Sequence, residues 1–132
     1  MNLKTAIYEH LKNDPTIAGI VAGRIYRSLA PQGSEFPLLT YQRITSTNKN
    51  DIDFTTERFQ FDLVGKLEDD DQIEELKEAV VNRLNRFKGD LGGTGFKVKS
   101  IWLDIVADDF NEDHSARRIV LDFRIAYLRN EI

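Results

Sequence analysis

The chain of 132 residues has no cysteine, two histidines, one tryptophan, three prolines and no apolar run near the roughly 20 residues that cross a bilayer as a helix. Without cysteine there are no disulfides, no thiolate-held metals and no cysteine nucleophile. The histidines, His10 and His114, lie far apart, and neither has a second histidine at helical spacing, so the pattern offers no metal or acid–base constellation. Residues 1–11 lack the basic start, apolar run and small-residue cleavage site of a signal peptide, and the chain reads as cytoplasmic when made. A basic excess is missing too. The net charge is −4, with the acidic surplus gathered in Glu68, Asp69, Asp70, Asp71, Glu74, Glu75 and Glu78. Phosphate contacts dominate nucleic-acid affinity and show as a basic face, which nothing here demands. The acidic run reads as a solvated helix start that complements the helix dipole.

Motifs that would carry chemistry fail on inspection. A phosphate-binding loop opening at Gly89 needs glycine where Thr94 stands, and Gly95 is followed by Phe96 rather than lysine. Asp109, Asn111 and Asp113 alternate as in a calcium loop, but His114 replaces the required glycine and Val120 the closing glutamate. No serine sits in a Gly-x-Ser-x-Gly elbow. Carboxylate pairing in space is invisible to sequence, and exposed acidic residues are usually solvated. The expectation is no catalytic residue, no metal and no cofactor.

What is present reads as one mixed domain over residues 1–132, of a length that buries one core. Asn2 can cap a helix with Leu3, Ala6, Ile7 and Leu11 on one face, and Asp14-Pro15 restarts a helix that Gly23 ends. An irregular arm spans 30–37. A strand over 38–45 shows apolar residues on both faces; a polar loop over 47–56 follows. Phe59, Phe61 and Leu63 then alternate with polar residues as a strand with one buried face. Ile73, Leu76, Val80, Leu84 and Phe87 stripe a helix over 71–87, with Asp71 and Glu74 as a capping box and Gly89 as its stop. A strand over 98–107 places Ile101, Leu103 and Ile105 on one face and Val98, Trp102 and Val106 on the other. An acidic loop over 108–114 leads to a last strand with Ile119, Leu121, Phe123, Ile125 and Tyr127 alternating. The fold class is α+β, in the order α-β-β-α-β-β, with a mostly antiparallel sheet and helices packed on one face.

Two features point outward. Trp102 lies opposite an already apolar face, which implies a second covered face, an interface more than an internal lid. Arg117 and Arg118 point to opposite faces of a strand, and bridging to the acidic helix start or to a neighbouring subunit suits them better than a phosphate.

Asp14-Pro15, Gly23-Arg24-Ile25-Tyr26, Pro31-Gln32-Gly33, Pro37 and Tyr41 follow one another in an order that resembles siphophage and prophage tail-completion proteins, also called tail terminators or tail-to-head joining proteins. Phe59-Gln60-Phe61-Asp62, the acidic-start helix and the closing stretch 118–125 agree in order, so the resemblance covers nearly the whole chain. It implies a non-enzymatic virion subunit, similar to the lambda-type terminator, that closes as a ring of six on the tail tube, ends tube growth and joins tail to head. Its implied partners are its own copies, the tail tube protein and a head-completion protein. DNA would only pass through the lumen, and no membrane is involved. The subunit would work in the bacterial cytoplasm during assembly and at the neck end of the virion tail afterwards. Candidate partner contacts are Gln32, Glu35, Lys49, Asp51, Asp53, Glu57, Trp102, Arg117 and Arg118. Two other readings stay open: another neck or connector component, and a small ligand- or nucleic-acid-binding module on a ferredoxin-like sheet. An enzyme is a third; it would need a deep pocket with shifted carboxylates.

Overall fold

The computed structural model describes residues 2–48, 54–110 and 116–128. Two helices open the chain, α1 (Leu3–Lys12) and α2 (Pro15–Val21). α1 starts where extended Asn2 accepts the Thr5 amide at 2.9 Å, and α2 where Asp14 accepts the Thr16 and Ile17 amides at 2.9 and 3.0 Å. Each cap satisfies amides that the first helical turn leaves without carbonyl partners. Ala22 and Gly23, both at positive φ, end α2.

The strands are β1 (Ile25–Tyr26), β2 (Leu38–Asn48), β3 (Phe54–Lys66), β4 (Gly89–Asp90), β5 (Lys97–Val98), β6 (Ser100–Phe110) and β7 (Ala116–Leu128), with α3 (Asp70–Leu84) between β3 and β4. Five of them form one sheet in the order β1-β2-β3-β7-β6, and β4 pairs with β5 apart from it. The β2–β3, β3–β7 and β6–β7 ladders are antiparallel, while β1 runs parallel to β2 over two pairs. This is the α+β architecture expected.

Alternation puts Leu39, Tyr41, Phe59, Phe61, Leu63, Ile119, Leu121, Phe123 and Ile125 on one face, all buried under the helices. Phe61 anchors that layer, with its ring 5.5 Å from Tyr41 and 5.4 Å, edge-on, from Phe123. The stripe Ile73, Leu76, Val80 and Leu84 brings α3 down onto the sheet. At Gly65 the approach is so close that a Cβ would stand 2.3 Å from the Ile73 Cδ1 atom.

Four expectations about element limits are corrected. The polar loop over 47–56 is ladder at both its ends: Thr47 pairs with Thr56 and Asn48 with Thr55. There the hairpin runs past the large apolar core, so hydrophobic alternation fades while backbone pairing continues. β6 breaks register after Leu103, which pairs with Phe123, so that Ile105 pairs with Asp122. The extra residue, Asp104, is a bulge that flips the following side chains, and Ile105 is 49% exposed instead of buried beside Ile101. Val98 belongs to β5, and β6 runs on to Phe110, so the acidic stretch after Ala107 begins inside a strand.

α3 begins at Asp70 after a 3-10 turn, without a side-chain cap, and ends at Leu84 instead of Phe87. The capping box is unmade because Asp71 falls inside the first turn instead of at its cap, and the Glu74 carboxylate turns to Arg117. The helix ends early because its exit covers a sheet edge. Asn85 Oδ1 accepts the Leu103 amide at 2.9 Å, and the Arg86 amide, at φ 66°, donates to the Ile101 carbonyl at 2.6 Å.

Candidate assembly surface

The sheet face turned away from the helices is a lattice of ion pairs. Arg58 binds Asp104 at 2.6 Å and approaches Asp122 at 3.3 Å; Arg124 reaches Asp104 at 3.3 Å; Arg118 bridges Asp62, at 3.3 Å, and Asp109. Burial pushes the Asp122 carboxyl above its ordinary pKa, Arg58 and Arg124 pull it down, and Asp104 adds to the rise. Trp102 stands on this face, 39% exposed, and Ile105 joins it through the bulge. An open concavity of about 340 Å³ lies here between Thr45, Thr47, Thr56, Arg58 and Arg124. Both of its arginines already hold Asp104, so it offers a bound anion little unspent charge.

The sheet's two edges differ. On β6 the turn at Asn85 and Arg86 occupies the backbone as far as Leu103. From Asp104 to Phe110 no strand of the described residues lies outside it. On β2, β1 covers Leu39 and Thr40, and no described strand flanks Tyr41 to Asn48. Exposed apolar side chains mark both edges: Ile105 and Val106 on β6, Ile44 at the β2 bulge. The arm before β2 adds Leu29, 87% exposed, and Phe36.

The nine residues predicted as partner contacts scatter over this frame. Gln32 and Glu35 lie exposed on the arm, with Glu35 3.9 Å from Arg24. Trp102 and Arg118 belong to the ion-pair face. Lys49, Asp51 and Asp53 fall outside the described residues. Glu57 and Arg117 are not surface groups. Glu57 is 3% exposed: β3 runs through it rather than beginning after it, and it lies on the same inward face as Phe59, Phe61 and Leu63. It binds Arg43 and accepts the Tyr127 hydroxyl at 3.0 Å. Burial, with Glu57 beside it, raises the Tyr127 phenol to about 12. Arg117 is buried between Asp70, Glu74 at 2.6 Å and Asp108 at 2.8 Å. It ties the start of α3 to β6 and β7, the acidic helix start it was expected to bridge. Its hydrogen bond to Asp108 leads the effects that hold its guanidinium above the usual arginine pKa, against burial, with Glu74 and Asp70 adding to it.

His10, which carried no motif, is a pin inside the chain. Its Nε2 lies 3.0 Å from the Arg83 carbonyl, its Nδ1 accepts the Gly92 amide at 3.1 Å, and Phe87 packs edge-on at 4.4 Å. These partners fix the neutral tautomer with hydrogen on Nε2. Burial lowers its pKa below 6.5. Sequence did hold one signal for it: His10 shares a helical stripe with Leu3, Ala6, Ile7 and Leu11. Asn85 and Arg86 had none, because edge capping is a long-range contact. A second concavity, of about 240 Å³ between α2 and α3, gathers Asp14, Glu75 and Glu78. Among the described residues no cluster has the arrangement of a metal site.

The model of a family described as tail completion protein gp17 matches residues 5–128. The chain belongs to this tail-completion family. Its fold recurs in a chain of a solved structure titled as the virion of a native gene transfer agent particle. The two share 17% identity and a TM-score of 0.79, with 94% of this chain and 92% of that one covered. No curated protein matches in sequence. As a tail-completion protein the chain has a structural role in the tail.

Proposed function

We propose that this tail-completion protein is the terminator of a tail tube. It forms a ring, of six copies, on the last tube layer, ends polymerisation there and presents the docking surface for the head. The observation that carries this reading is the family match across residues 5–128. The chain acts by surface matching, without catalysis: one side of the ring resembles a tube layer and is accepted, while the other does not repeat the tube surface. Ring contacts of this kind are heterologous and close by rotation. Its partners are its own copies, the tube protein and a head-completion protein, with DNA as a passer-by in the lumen. Assembly takes place in the host cytoplasm, and the finished ring stays at the neck. Residues 1–132 act as one unit. Gln32, Glu35, Trp102 and Arg118, together with Lys49, Asp51 and Asp53, are the proposed contacts.

The test is deletion of the gene followed by electron microscopy of the particles. The expected result is overlong tubes or tails without heads, restored by the gene in trans. Normal particles from the deletion would overturn the proposal.

A further inference from the structure

We propose that residues 85–93 form a strap that His10 holds shut near neutral pH and that undocks from α1 in acid, uncovering the β6 backbone at 101–103. The device belongs to the single chain and is independent of the ring reading. The strap leaves α3 at Asn85 and comes back to α1 at Gly92, and His10 grips both ends. Its Nε2 donates to the Arg83 carbonyl at 3.0 Å, just ahead of the strap, while its Nδ1 accepts the Gly92 amide at 3.1 Å. Arg83 returns a bond, its Nε donating to the His10 carbonyl at 2.9 Å. Between these ends Phe87 lies edge-on against the imidazole at 4.4 Å. The same segment covers the sheet margin, through Asn85 Oδ1 on the Leu103 amide and the Arg86 amide on the Ile101 carbonyl. One histidine therefore links α1 to the cover of β6.

Only the neutral ring fits this grip. A protonated imidazole carries hydrogen on both nitrogens, so Nδ1 would meet the Gly92 amide donor to donor. The ring is buried, and a buried donor without an acceptor is costly. Gly92 cannot step aside in place: its Cβ position already lies 2.7 Å from the His10 backbone nitrogen and 2.9 Å from the Ala6 carbonyl. Burial leads the effects that oppose the imidazolium and Arg83 adds a like charge, while the bond to the Arg83 carbonyl and Asp14, at the head of α2, favour it. Of the other charges nearby, Glu9 and Lys12 on α1 pair with each other at 3.1 Å, and Asp90 on the strap accepts the Gly95 amide. Lifting the strap relieves the clash, because water can then reach Nδ1.

The direction follows from proton linkage. With the strap shut, the His10 pKa lies below 6.5; with the strap lifted and the ring in water, it returns toward 6.5. Opening therefore takes up a proton. Above pH 6.5 the shut state has its full advantage, which is lost as pH falls, by up to about tenfold per pH unit, until the lower pKa is passed. Leu91, fully buried, and the two pairs that β4 makes with β5 keep the strap seated while the ring is neutral.

Amide exchange of the full chain, read by NMR between pH 4.5 and 7.5 with and without low urea, tests the proposal. The amides of Arg86, Gly92 and Leu103 are expected to lose protection together below pH 6.5, by up to about tenfold per pH unit. They should respond weakly to urea, because a local opening exposes little surface. The Phe61 and Phe123 amides should be better protected and fall steeply with urea. His10→Gln should flatten the pH dependence at the three strap amides, and His114→Gln, at the chain's other histidine, should leave it unchanged. Strap amides that match Phe61 and Phe123 in protection and urea dependence would overturn the proposal, since the strap would then open only with the whole chain. Loss at Gly92 with Arg86 and Leu103 steady, or a wild-type slope in His10→Gln, would overturn it too. Should His10→Gln fail to fold, wild type decides: strap protection should level off at the pH where the folded His10 ring titrates, and a plateau at any other pH refutes the link.

Discussion

At the scale of single residues, the side chains with most leverage are those pinning α1 to the loop after α3. His10 is neutral in the fold because burial disfavours the imidazolium, and because protonated Nδ1 could not accept the Gly92 amide. Its folded pKa lies below the unfolded value near 6.5, so the unfolded chain takes up the proton first as pH falls. Its contribution to stability is complete above pH 6.5 and declines as pH drops from 6.5 toward the lower folded pKa. Urea melts between pH 5 and 7.5 should show stability climbing with pH over that window. The His10→Gln variant should show a shallower slope there, and an equal slope would assign the titration elsewhere. Gly92 is the other half of the pin. At φ 69° its added Cβ would meet the His10 nitrogen at 2.7 Å and the Ala6 carbonyl at 2.9 Å, both backbone atoms with no freedom to yield. Gly92→Ala should cost about 3 kcal/mol, clash on top of backbone strain. Gly93→Ala, at φ 68° in open space, should cost only the strain, about 1 kcal/mol. Equal losses in melting temperature would refute the clash.

At the scale of elements, the start of α3 depends on a group far away in sequence. Arg117 supplies the positive charge that Asp70 and Glu74 of the helix start face, and it supplies it from inside the fold. Removing it strands three carboxylates around an emptied site, although their own exposure lets water screen them. Arg117→Met should therefore cost about 2 kcal/mol and speed amide exchange over 70–74, while Arg118→Met, on an exposed bridge, should cost under about 1 kcal/mol. Matching losses for the two would mean that the buried clamp contributes nothing special. The same elements show what sequence could and could not convey. The caps Asn2 and Asp14 were legible, since a helix start is decided within four residues. So were the buried faces of β3 and β7, where strict alternation leaves one register that hides Phe59, Phe61, Leu121 and Phe123. The Asp104 bulge, the early exit of α3 and the extension of β3 back past Glu57 were not. Each is settled by a partner strand that lies elsewhere in the chain, and no local pattern announces a partner. Of the surface, Trp102 and the arm could be read from exposure arguments; the two sheet edges required the strand order.

At the scale of the whole molecule, the proposed contacts can be tested separately from the residues that hold the fold. Reversing Lys49, Asp51 and Asp53 together should leave the melting curve nearly unchanged, because charged residues in a polar connecting sequence usually shift stability within about 0.5 kcal/mol each. Particles should nevertheless show overlong or headless tails, since like charges brought together at an interface cost several kcal/mol and about 1.4 kcal/mol is tenfold in affinity. Normal particles would remove that segment as a contact. Glu57 must stay out of the set: reversing a buried carboxylate that holds Arg43 and Tyr127 would unfold the hairpin and confuse the two outcomes.

The β2–β3 ladder ends at Asn48 and Phe54, on the end of the sheet that holds Leu128, while the β6–β7 ladder ends at Phe110 and Ala116, on the end that holds Lys66. Thirteen-residue strands put roughly 40 Å between those ends. Sequence drift at one end is therefore remote from the other. In the proposed ring, a lineage carrying this subunit can change the contact at one end and keep the contact at the other, with the core between them untouched.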